Sequence, residues 1–144
     1  MQENQTKSAY NADVPTAIFE FAANASTVTA TAQNVPKSGL ATSDTATIGH
    51  LSGRNTSVIS RMRVRFVGDA ANVGGQTVNV ALLVDGVAIA SATLAVPLAA
   101  TAGTKTGTVD FTPTAIAEGA YVRCTITPSA LLTAVLTNVN VAVS

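Results

Sequence analysis

The chain has 144 residues, 47% of them hydrophobic, with eight basic and eight acidic side chains and a formal net charge of zero. That is enough apolar material for one core, and a neutral balance excludes the basic excess expected of a dedicated nucleic-acid binder. Charged residues are only 11%, so the surface must be largely Ala, Thr, Ser and Asn, which is readily desolvated against other subunits.

Residues 1–13 are polar and unpatterned and read as an N-terminal arm, followed by a single domain over 14–144. The first residues lack the apolar core of a signal peptide, and no run approaches ~18 apolar residues, so the sequence predicts no membrane span. Val14-Pro15 opens an extended segment, with a strand predicted over Thr16–Phe21. Ser26–Gln33 alternates Val28, Ala30 and Ala32 against three threonines and reads as a strand. Asn34–Ser43, with Pro36 and Gly39, reads as a loop, and Thr45–Leu51 as a weak strand.

A clear strand follows over Ser57–Val67, with Val58, Met62, Val64 and Phe66 toward the core and Arg61, Arg63 and Arg65 on the opposite face. Gln76–Val96 is the strongest local signal. It is a hairpin with Asp85-Gly86 at its tip, since a two-residue type I′ turn needs positive φ at both positions. Simple two-residue closure pairs Val84 with Val87, Leu82 with Ile89, Val80 with Ser91 and Val78 with Thr93. Thr106–Phe111 reads as a strand and Pro113–Gly119 as a connector. In Ala120–Thr127, Val122, Cys124 and Ile126 point inward and Tyr121, Arg123 and Thr125 outward. The last strand is Ala134–Val143.

Eight or nine short strands with turn-rich connections and no helical period predict an all-β antiparallel sandwich. A jelly-roll-like arrangement is favoured, since that fold commonly places eight strands in two sheets. An immunoglobulin-type domain fits less well, as Trp and a Cys pair are missing. The chain has three Lys and three Glu, too few to solvate helix faces, whereas Ala, Thr and Val total 65 residues.

No residue pattern carries recognisable chemistry, and the expectation is a non-enzyme with no cofactor or metal. His50 stands without companions at metal-ligand spacing. Cys124 alternates with core residues and reads as a small hydrophobe; as the single cysteine, it excludes an internal disulfide framework. Asp44, Asp69, Asp110 and Glu118 show neither calcium-loop nor glycosidase context. Gly74-Gly75 is not a phosphate loop, since no helix is predicted after it.

Arg61, Arg63 and Arg65 are the informative polar set. Alternate residues of a strand lie about 7 Å apart on one face, and three like charges in a row need an acidic partner, a network with a neighbouring subunit, or solvent. Arg123, also outward, is a candidate to join them. Leu131 and Leu132, adjacent in the loop after Pro128, need cover either beneath the sandwich or from another subunit.

The polar N-terminal segment followed by VISRMRVRFV (58–67), VNVALLVDGVAIA (78–90) and AEGAYVRCTITP (117–128) resembles small virion proteins of tailed bacteriophages, capsid decoration or cement proteins above all. The resemblance implies a structural protein, made in the host cytoplasm. It would oligomerise, as a trimer, on the major capsid protein at the capsid surface and stabilise the head without contacting nucleic acid or membrane. Phage fibre or spike modules and carbohydrate-binding sandwiches are the alternative.

Overall fold

The computed structural model describes residues 18–26, 29–37, 42, 49–52, 56–72, 75–98 and 101–144, with the backbone alone at 50 and 51. The predicted arm over 1–13 lies outside these residues. Among them are nine strands: β1 (Phe19–Ala25), β2 (Gln33–Asn34), β3 (His50–Leu51), β4 (Ser57–Gly68), β5 (Gln76–Val84), β6 (Val87–Leu98), β7 (Gly103–Ile116), β8 (Tyr121–Pro128) and β9 (Thr137–Val143). They form two antiparallel sheets. The first has the order β1-β9-β4-β7; the second has β2-β8-β5-β6, with β3 also pairing β8.

The pairing is nested. β1 pairs β9, β2 and β3 pair β8, β4 pairs β7, and β5 pairs β6. First with last, second with last but one: this is a long antiparallel ribbon folded over on itself. Two further ladders, β4 with β9 and β5 with β8, roll the ribbon into a sandwich. The fold is therefore the jelly roll that the strand count favours. Its core is filled by the inward rows of both sheets, including Phe21, Met62, Phe66, Val80, Leu82, Val122, Ile126 and Val141.

The Asp85-Gly86 tip forms as the sequence predicts, with φ of 49° and 84°, both in the left-handed range that a type I′ turn needs. Beyond it the simple register fails. Leu83 pairs Ala88, but the next pair is Ala81 with Thr93, so β6 advances five residues while β5 advances two. This bulge carries an odd number of extra residues and exchanges the two faces of β6. Val78 consequently faces Val96 rather than Thr93, and Ala92, which the simple register would set on the face opposite to Val80 and Leu82, is in the core.

A second bulge corrects β4. The Ser60 and Arg61 amides both donate to the Ser144 carbonyl, at 2.8 and 2.9 Å, so two residues oppose one. Ile59 therefore points into the core, and Val58, expected there, is 56% exposed. Within the span Ser26–Gln33, predicted as a strand, residues 29–32 lie outside any strand and Gln33 opens β2, with Ala30 and Ala32 exposed; 27 and 28 lie outside the described residues. β7 continues through Pro113 to Ile116, where a connector was expected.

The margins at β1, β6 and β7 are guarded against further strand pairing. At β1 the Ala22 amide donates to the Pro36 carbonyl (2.7 Å), and the Ala25 carbonyl accepts from the Thr42 amide (2.9 Å). On the other side β6 and β7 are the margins. They carry Pro97 and Pro113, and Lys105 lies on the inward row opposite buried Phe66. Proline, bulges and inward charge are the usual obstacles to edge-to-edge association.

Candidate functional site

The outer face of the first sheet is built from β1, β9, β4 and β7. Its rows follow from register. Glu20, Ala142, Arg63 and Thr108 stand side by side across the four strands, and Ala22, Asn140, Arg65 and Thr106 form the next row. Period-two alternation puts Met62, Val64 and Phe66 under the sheet and leaves Arg63 and Arg65 exposed above it. Small residues beside long ones leave a depression of about 420 Å³ here, bordered by Glu20, Arg63, Arg65, Thr106, Thr108 and Asn140 over the backbone of Val64 and Gly107.

The three arginines of β4 are not equivalent. Arg61 forms an ion pair with Asp110, directly across the ladder; its Nη2 donates to Asp110 Oδ2 at 3.1 Å. The hydrogen bond and the Coulomb attraction of Asp110 hold the guanidinium above its ordinary value, and the hydrogen bond from Arg61 chiefly holds the Asp110 carboxyl below its own. Both groups are open to water, so the pair is screened and contributes little to stability. Among the described residues, neither Arg63 nor Arg65 takes an ion pair.

Arg123 does not join this row. It projects outward from β8 of the second sheet, on the far side of the sandwich from β4. There its Nη1 donates to Asn34 Oδ1 at 3.1 Å, part-buried. The neighbouring strand start is tied to the hairpin tip: the Tyr121 amide donates to Asp85 Oδ1 (2.8 Å), and the Asp85 amide to the Tyr121 carbonyl (2.9 Å). Period two correctly places Arg123 outward, but alternation carries no information on which sheet a strand enters.

The sequence pair Leu131 and Leu132 is split. Leu132 is 3% exposed and part of the core; Leu131 is 68% exposed. Both lie in the connection from β8 to β9, which Asn72 holds in place from the β4–β5 connection. Asn72 Oδ1 accepts from the Thr133 and Ala134 amides (2.9 Å each), and its Nδ2 donates to the Ala134 carbonyl (3.0 Å). With Asn72 itself buried, these bonds fix the loop rather than merely decorate it. Val135, 42% exposed, borders a hollow of about 490 Å³ with Val67, Ala102, Gly103 and Ala134. Val135 falls in the strand predicted over Ala134–Val143, but β9 begins only at Thr137; the clamp by Asn72 is invisible in the sequence because its partners lie 61 and 62 residues away.

Cys124 is fully buried and its thiol is pushed far up by desolvation, which keeps it from acting as a thiolate nucleophile. Asp69 Oδ1 accepts from the Ala71 amide (2.8 Å) within its turn, a local structural use. Among the described residues no three His, Cys, Asp or Glu side chains gather in a way that could hold a metal ion. No helix among them is long and apolar enough to cross a membrane.

What the described surface offers is a groove bordered by polar side chains on one sheet, with two guanidinium groups that take no ion pair among the described residues, and a rigid loop with exposed apolar side chains at one end of the sandwich. No protein-family model matches this chain, and no curated protein matches it.

Proposed function

We propose that this protein is a homo-oligomeric structural protein of a phage virion. In this reading it is a decoration protein that assembles, as a trimer, on the major capsid protein at the capsid surface and stabilises the head by adhesion. The observation that carries the reading is the β8–β9 loop. Leu131 and Val135 are held out to solvent by a segment that Asn72 fixes from within. A preformed apolar loop loses little conformational freedom when it docks, which favours contact over exposure. The charge-poor surface and the guarded margins of β1, β6 and β7 support the same reading. They favour association through side chains at loops and faces over continuation of a sheet.

Burying one Leu side chain is worth about 1.5–3 kcal/mol, too little alone to hold two proteins together. Repetition around a symmetric oligomer, and across many copies on a shell, would make the sum effectively irreversible. Sedimentation velocity at micromolar concentration should find a stable oligomer, and Leu131→Asp should dissociate it while leaving circular dichroism unchanged, since Leu131 is outside the core. Electron microscopy should then place the wild-type chain, but not Leu131→Asp, on expanded phage heads. A wild-type monomer that does not bind such heads would sink the proposal.

A further inference from the structure

We infer that the outer face of the first sheet is a binding site for an acidic saccharide, a sugar ring bearing a carboxylate, seated over β9, β4 and β7. The inference is independent of the oligomer contact, which lies on a loop at one end of the sandwich.

The argument starts from charge. Of the three arginines on β4, Arg61 is answered by Asp110; Arg63 and Arg65 are exposed and take no ion pair among the described residues. They stand about 7 Å apart on one strand face. A guanidinium presents a planar fork that matches a carboxylate bidentately, so this face selects an anion. What surrounds the forks selects the rest of the ligand. Thr106 and Thr108 lie beside them on β7, Asn140 on β9 and Glu20 on β1. Hydroxyl and carboxamide groups both donate and accept. That mixture suits a ring of hydroxyls better than it suits a purely anionic chain. The depression, about 420 Å³, falls within the usual range for small-ligand sites.

Other occupants fit less well. A second copy packed by a two-fold axis over β4 would set one row of arginines against the other. An acidic peptide would satisfy the guanidinium groups but would bring no ring of hydroxyls to Thr106, Thr108 and Asn140.

The test uses the full chain, labelled with nitrogen-15, titrated with trigalacturonate. Amide shifts are expected to be confined to the groove around Arg63, Arg65, Thr106, Thr108 and Asn140, with neutral maltotriose causing none. Arg63→Gln and Arg65→Gln should each weaken binding about tenfold, as expected for loss of a charged hydrogen bond. Arg123→Gln, which removes the same charge from the opposite face, should leave the affinity unchanged. Four results would overturn the inference: no shifts in the groove at millimolar trigalacturonate, equal binding of maltotriose, equal weakening by Arg123→Gln, or tighter binding of a pentaglutamate peptide at the same residues.

Discussion

The outer faces of the two sheets start from the same sequence pattern and end in different states. On the first sheet Glu20, Arg63, Arg65, Thr106, Thr108 and Asn140 are all exposed. On the second, Asn79, Ala81, Leu83, Tyr121, Arg123, Thr125 and Thr127 are all half-buried. Both rows alternate with core residues at period two. On β8 the difference comes from what lies against it. Gly49, leading into β3, packs so closely on β8 that a Cβ there would come within 2.6 Å of the Val122 carbonyl oxygen and 2.8 Å of Arg123 Cγ. Asn34 of β2 accepts from Arg123. The second sheet thus commits Arg123 to holding the fold, while the first leaves Arg63 and Arg65 without an ion pair among the described residues.

The core shared by both sheets sets the largest expected effect. Leu82 is fully buried on β5, and Leu82→Ala should cost about 2–5 kcal/mol in chemical denaturation, whichever outer face is being compared. The next largest tests the covering of the second sheet. Gly49→Ala would force the β3 lead-in away from the β8 backbone, and overpacking of this kind costs about 1–3 kcal/mol. Faster amide exchange at His50 and Leu51 should accompany it. If Gly49→Ala melts like the wild type, the close packing on β8 is not what covers that face.

The arginines give the direct comparison. Arg123→Ala should cost about 1 kcal/mol, because it removes the part-buried hydrogen bond to Asn34 Oδ1, whereas Arg63→Ala should stay within about 0.5 kcal/mol of the wild type. Equal costs would erase the distinction between the faces. The smallest effect belongs to Asp110. Its folded carboxyl titrates below the unfolded value of 3.8, so the Arg61 pair contributes above that value and fades as pH falls through the folded pKa. Wild type and Asp110→Asn should therefore differ slightly in melting temperature near neutrality and converge in acid. A difference that persists at the acid end would assign Asp110 a role apart from the ion pair.

Much of the fold was legible because its signals are local. Asp85-Gly86 between alternating runs specifies its own turn through backbone sterics, and Val122, Cys124 and Ile126 specify an inward row through period two. Bulges were not legible. Val58 and Ile59 exchange roles because Ser144, far away in sequence, offers one carbonyl to two successive amides, and the slip in β6 exchanges Thr93 for Val96 opposite Val78. The candidate site was legible only as a row of arginines. That Arg61 is neutralised and Arg63 and Arg65 are not depends on β7 bringing Asp110 to one place and threonines to the next.

By itself, then, the sequence determined an all-β chain, the position of its tightest turn, and which side chains of each regular strand share a face, since these follow from dihedral preference and a period of two. Only the tertiary structure decided which strands became neighbours, and so which charges were answered. It put Arg123 on the opposite face from Arg63 and Arg65, split Leu131 from Leu132, and clamped their loop with Asn72. Each of these is a contact between residues distant in the chain, fixed by the rolling of the ribbon and the bulges that adjust it.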